Sequence, residues 1–211
     1  MKRRATFSHR RMSFQRLEQR QLLAGPDYDI SGALYNANGF HNTDGRHAQL
    51  GQRHLFAHVD LRYGRELWVS RSDDEPAKMI ADLMPGEEES RIRPLIRVGD
   101  YVFFTAWVPN EFGVNRRRLF RSDGTAEGTV PITDRKVSDE LGVFQDRVLF
   151  SVSGSTIREE PSEVWITDGT EQGTRQLLSD EDRIQEDTFR SAGDQFYFQM
   201  GWSDERFFVS D

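Results

Sequence analysis

Four phenylalanines set the frame of this chain. Phe56, Phe104, Phe150 and Phe198 close one recurring phrase: Gly51-Gln52-Arg53-His54-Leu55-Phe56, Gly99-Asp100-Tyr101-Val102-Phe103-Phe104, Gln145-Asp146-Arg147-Val148-Leu149-Phe150 and Gly193-Asp194-Gln195-Phe196-Tyr197-Phe198. They recur at intervals of 48, 46 and 48 residues. A second phrase keeps the same step. Leu119-Phe120 leads into Ser122-Asp123-Gly124-Thr125 and returns at Gly128-Thr129; Val164-Trp165 leads into Thr167-Asp168-Gly169-Thr170 and returns at Gly173-Thr174. It is worn at Glu66-Leu67-Trp68-Val69-Ser70 and cut short at Arg206-Phe207-Phe208-Val209-Ser210-Asp211. Asp and Ser oxygens accept backbone N–H groups, and Gly tolerates positive φ, so the polar segments predict tight turns between strands. Because it recurs in each unit, the Ser/Thr-Asp pair is expected to build turns; a catalytic nucleophile is needed once.

A fixed step of roughly 40–50 residues built from short strands and turns is the signature of propeller blades. The expected fold is therefore all-β, a propeller-like array of about three and a half four-stranded antiparallel blades. In the second unit the strands are expected at Pro94–Val98, Tyr101–Val108, Arg118–Ser122 and Thr129–Thr133, with a hairpin turn at Gly99-Asp100. Phe104, Phe150 and Phe198 share a face with Val102, Val148 and Phe196, while Phe103, Leu149 and Tyr197 occupy the other. Apolar residues on both faces predict sheets sandwiched between sheets. Pro131 places the fourth strand at an edge. Trp68, Phe120, Trp165 and Phe208, together with the four phenylalanines, are expected to form the repeat core. The units span about 47–82, 92–134, 139–180 and 187–211, the last one partial.

The phrase Glu-Leu-Trp-x-Ser-Asp-Gly-Thr-x-x-Gly-Thr, strongest at 118–129 and 163–174, resembles the ELWxxDGT repeat found in tandem in bacterial surface proteins, often of planctomycetes. At the level of fold, the turn also resembles the Asp-box hairpins of sialidase-type propellers, with different spacing. Arg16-Leu17-Glu18-Gln19-Arg20-Gln21-Leu22-Leu23-Ala24 resembles the Leu-Glu-Pro-Arg-x-Leu-Leu motif of large extracellular planctomycete proteins, with Gln19 in place of Pro. These resemblances imply export and an extracellular or cell-surface location. Residues 1–25 are expected to be a basic targeting segment, and 26–46 a linker or closing strand. Hydropathy alone shows only Leu22-Leu23-Ala24 after the basic residues, short of a secretory apolar run.

The charge is divided. Residues 1–20 carry seven Lys and Arg against one Glu, leaving 21 bases and 34 acids for the rest. An acidic body disfavours nucleic acid and anionic membrane, and no apolar run approaches the length of a membrane span. No cysteine is present, which excludes disulfides, thiolate metal sites and a Cys nucleophile.

Chemistry is sparse. His54 and His58 share a strand face where other units carry Val102 and Ala106; with His47 or His41 they raise a metal pair, against a simple terminal-blade face. The acidic runs Glu87-Glu88-Glu89, Glu159-Glu160 and Asp180-Glu181-Asp182 lack calcium-loop spacing and are expected to be solvated loops. No phosphate-binding glycine loop precedes a helix. The inner-strand spans Pro94–Val98, Leu141–Phe144 and Phe189–Ala192 offer Arg97 and Arg190 but no carboxylate. The expectation is a non-enzymatic interaction module without cofactor or metal, binding an unknown protein or glycan through rim loops. The alternatives are a secreted glycan hydrolase on a propeller scaffold and a truncated product. Asp211 falls inside a turn, so the sequence is expected to be a fragment of a longer array, or else a ring closed by Tyr28–Leu34.

Overall fold

The computed structural model describes residues 47–71, 76–154, 162–180, 189–192, 195–200 and 206–209. The expectations for 1–25, for Tyr28–Leu34, and for the turns at 72–75 and 210–211 lie outside these residues. The described residues contain no helix. Their strands are β1 (His47–Leu50), β2 (Arg53–Asp60), β3 (Gly64–Ser70) and β4 (Lys78–Ala81); β5 (Arg93–Val98), β6 (Tyr101–Pro109), β7 (Asn115–Ser122) and β8 (Val130–Pro131); β9 (Val137–Phe144), β10 (Arg147–Val152), β11 (Ser162–Thr167) and β12 (Arg175–Asp180); and β13 (Arg190–Ala192), β14 (Gln195–Met200) and β15 (Arg206–Val209). Each group is one antiparallel meander, giving three four-stranded sheets and a fourth of three strands among the described residues.

The register explains the recurring aromatics. Phe56 lies opposite Trp68, Phe104 opposite Phe120, Phe150 opposite Trp165 and Phe198 opposite Phe208. Direct cross-strand neighbours are close enough for ring contact. Phe104 and Phe120 stack at 5.5 Å between centroids, and Phe150 and Trp165 at 6.3 Å. A register shift follows at the same repeat position, between Leu67 and Trp68 on β3 and between Val164 and Trp165 on β11.

Both faces of the middle sheets are buried, because Val102, Phe103, Phe104, Val148, Leu149 and Phe150 are all at most 1% exposed. Leu55, Leu67 and Val69 of the first sheet pack with Val102, Phe104 and Ala106 of the second. Phe103, on the opposite face, packs with Val148 of the third sheet, and Leu119 with Phe150 and Val152. Leu149 and Val164 in turn meet Phe196 of the fourth. The sheets therefore stack face to face in chain order, and their first strands β1, β5, β9 and β13 neighbour one another successively.

The structure corrects three boundaries. The third strand of the second unit begins at Asn115, because the hairpin is held by Asn110, whose Oδ1 accepts Phe112 N and Val114 N at 3.0 and 2.8 Å. Arg117 continues that strand as a buried residue with an ionic partner. The fourth strand shrinks to Val130–Pro131, since Pro131 has no N–H to donate. The inner strand of the third sheet starts at Val137 rather than Leu141, four residues early, so it contains Asp139 and Glu140. The expected absence of carboxylates from the inner strands is thereby overturned.

Candidate functional site: the hairpin end of the sheets

A four-stranded meander has two ends. One end carries the turn between strands one and two and the turn between strands three and four. The other carries the central hairpin and the connection from the preceding sheet.

At the first end the two Asp-Gly-Thr turns have the same hydrogen bonds. Asp123 Oδ1 accepts Thr125 N at 2.9 Å and Thr125 Oγ1 at 2.6 Å; Asp168 Oδ1 accepts Thr170 N at 2.8 Å and Thr170 Oγ1 at 2.7 Å. Each Thr hydroxyl oxygen then accepts the N–H of Gly128 or Gly173 at 2.9 Å. Thr129 and Thr174 donate back to the carbonyls of Thr125 and Thr170. The Thr hydroxyl bond is the main reason both carboxyls sit below their ordinary pKa. Gly128 and Gly173 are required by contact, since a Cβ on either would fall 2.0 Å from the Asp carboxylate oxygen. Gly124 and Gly169 have φ of +84° and +92°. The Asp carboxylates and Thr hydroxyls of these turns are thus engaged within the turns themselves.

Each turn also docks on the sheet before it. Arg53 of β2 donates to Asp123 O at 2.8 Å, and a Cβ at Gly124 would touch Arg53 and Leu55. One sheet on, a Cβ at Gly169 would touch Phe103 and Arg121, and the Arg121 guanidinium lies 4.3 Å from the Tyr101 ring centroid. Arg53 and Tyr101 hold the same repeat position, as do Leu55 and Phe103.

The opposite end is different. The hairpin between β2 and β3 presents Leu61, 90% exposed, and that between β6 and β7 presents Phe112, 80% exposed, with Val59 and Val114 also exposed. The connection 82–92 crosses the same end. Ser90 fastens it: its N–H and hydroxyl both donate to Arg65 O on β3, and its carbonyl accepts Trp107 N on β6. Glu88 backbone lies against Gly64, where a Cβ would clash at 2.0 Å. Between connection and hairpin lies a recess of about 400 Å³, lined by Met84, Glu88, Glu89, Arg91, Trp107 and Asn115. Beneath it the buried Arg117 is ion-paired to Asp139, donates to Thr105 Oγ1 at 3.0 Å, and stands 5.6 Å from the Trp107 ring centroid. Arg93 reaches the same Asp139 at 3.3 Å. A larger, open cleft of about 690 Å³ lies at the turn end, between the short edge strand β8 and the Gly169–Thr174 turn.

The first sheet's outward face holds the two histidines. His58 is edge-on to Trp68 at 5.3 Å, and burial lowers its pKa. No group of three His, Cys, Asp or Glu among the described residues could hold a metal. Directly across from His58 on β3 is Glu66, fully buried, accepting Leu83 N at 2.7 Å; burial pushes its carboxyl up to about 7. Its repeat counterpart Glu163 instead accepts both guanidinium nitrogens of Arg135 and the Trp165 indole N–H.

The sequence reading missed Trp107, Arg117 and Asp139: Trp107 and Asp139 have no like residue in the other units, and Arg117, which shares its repeat position with Arg65, reads as a surface charge. Their signal was a strand-end Trp and an arginine run where apolar alternation breaks. Among the described residues no helix is long and apolar enough to cross a membrane. No protein-family model matches the chain, and no curated protein matches it.

Proposed function

We propose that this chain is an exported bacterial repeat protein of the ELWxxDGT kind with β-propeller-like architecture, and that it acts without catalysis as a surface recognition module. The face-to-face sheets and the succession of neighbouring first strands support the propeller arrangement. The resemblance of the repeat and of residues 16–24 supports export. The observation that carries the recognition reading is the asymmetry of the two ends. At the Asp-Gly-Thr end the Asp and Thr side chains bond within their own turns, whereas the hairpin end offers Leu61 and Phe112 to solvent at the end that also holds the Trp107 recess. Large apolar side chains exposed on two neighbouring hairpins, at the end that also holds a recess, are the feature that supports an interaction surface there.

A glycan hydrolase would need an acid available for proton transfer, such as the inner-strand Asp139. That carboxylate is engaged by both Arg93 and Arg117, the geometry of a structural ion pair. The test is to titrate the purified chain onto immobilised cell-envelope preparations and neutral polysaccharides, comparing wild type with Leu61→Ser/Phe112→Ser. The expected result is saturable binding weakened about tenfold in the variant, a loss on the order of 1.4 kcal/mol, with an unchanged melting midpoint. Equal binding by both, or turnover of a polysaccharide, contradicts the reading.

A further inference from the structure

We infer that the recess beside Trp107 is a subsite for a neutral sugar residue; this rests on, and sharpens, the assignment of the hairpin end as the recognition surface. The volume of about 400 Å³ falls within the range of small-ligand sites, roughly 300–1,000 Å³. Its lining combines one aromatic ring with hydrogen-bonding groups of every kind: carboxylates that accept, a guanidinium that donates, and an amide that does both.

Charge decides among ligand classes. A cationic ligand would use the indole as a π-acceptor, but the Arg117 guanidinium already stands 5.6 Å from that ring's centroid, and Arg91 lines the recess. A second cation would compete with Arg117 for the π-face of the ring and would meet the charge of Arg91 in a half-enclosed space. An anionic ligand would face Glu88 and Glu89 on a chain whose net charge is −7. What remains is a neutral molecule with an apolar face for the ring and hydroxyls for the carboxylates, the guanidinium and the amide. A pyranose has that shape: its axial C–H groups form the apolar face and its equatorial hydroxyls form the rim.

The site is braced before any ligand arrives. Trp107 is fixed through its backbone by Ser90 and through its ring by Arg117, which Asp139 and Thr105 hold in place. Arg91 adopts a left-handed backbone, φ 49°, and its carbonyl accepts Arg117 Nη1 at 3.4 Å. A ring locked by buried neighbours loses little freedom on binding, which favours preorganised recognition.

Calorimetric titration with cellopentaose, maltopentaose, mannopentaose and chitopentaose as neutral probes, tetragalacturonate as the anionic probe and a glucosamine pentamer as the cationic one tests this. At least one neutral probe should bind, and Trp107→Ala should weaken it tenfold or more. Should Trp107→Ala fail to fold, the exposed pair Glu88→Gln/Asn115→Ala serves, with a loss of threefold or more expected. No binding of any neutral probe, tighter binding of a charged probe, or binding indifferent to these variants overturns the assignment. Binding lost in Leu61→Ser/Phe112→Ser but kept in Trp107→Ala also overturns it, while leaving the hairpin end as the recognition surface. Hydrolysis of a probe that still depends on Trp107 would support the subsite and overturn the non-catalytic reading.

Discussion

Residue by residue, the repeat is held by groups that leave little freedom for substitution. Gly128 and Gly173 lie against an Asp carboxylate, so any side chain must expel the acceptor that organises the turn. Gly128→Ala should cost about 2 kcal/mol or more in urea unfolding, because the clash displaces the carboxylate that holds the turn's hydrogen bonds. Glu66 tests electrostatics. Its folded pKa, about 7, lies above the usual carboxylate value because of burial, so between those two values the folded state binds more protons than the unfolded one. Stability contributed at this position therefore falls as pH rises from about 4.5 through 7, and the loss is complete above that, where the carboxyl is ionised in both states. Glu66→Gln should flatten the decline: its melting midpoint, compared with wild type from pH 5 to 8, should gain most at pH 8. A constant difference across that window would contradict the assignment.

For the elements, the turn between β9 and β10 carries the instructive exception. Gly51 and Gly99 occupy the left-handed position in their hairpins, and Gln145 takes the same conformation at φ 53°. An L side chain pays on the order of 1 kcal/mol there, so Gln145→Gly should stabilise the chain by up to about 1 kcal/mol in a denaturant titration. The strands themselves were legible where both faces are apolar. The two-sided pattern of Val102-Phe103-Phe104 and Val148-Leu149-Phe150 marked β6 and β10, and the turn residues marked their ends. Legibility failed where a polar residue is buried by a distant partner. Arg117 reads as a surface charge until Asp139, 22 residues away in sequence, neutralises it. For the same reason the start of β9, with its Asp139 and Glu140, reads as loop. Among the candidate sites, the Asp-Gly-Thr turns were visible because repetition exposed them. The Trp107 recess was not, since it is assembled once, from a connection and a hairpin of different sheets.

At the scale of the whole molecule, stability resides between the sheets. Leu119 is fully buried where the second sheet meets the third, so Leu119→Ala should lower unfolding free energy by roughly 2–5 kcal/mol. A sheet with two apolar faces and no neighbour has nothing to bury them against, so residues 92–134 expressed alone should show no cooperative melting transition. The central claim is that each turn is seated on the sheet preceding it. Because the chain has no cysteine, a single engineered pair can report that contact. A Cβ at Gly124 would lie 3.7 Å from that of Arg53, inside the roughly 3.5–4.5 Å window for a disulfide. The Arg53→Cys/Gly124→Cys chain, mildly oxidised and analysed by mass spectrometry, should form an intramolecular disulfide in high yield under native conditions and much less in urea. The Arg53→Cys/Gly169→Cys chain should form little in either. Equal yields from the two pairs, or no native bond in the first, would contradict face-to-face stacking of the repeats.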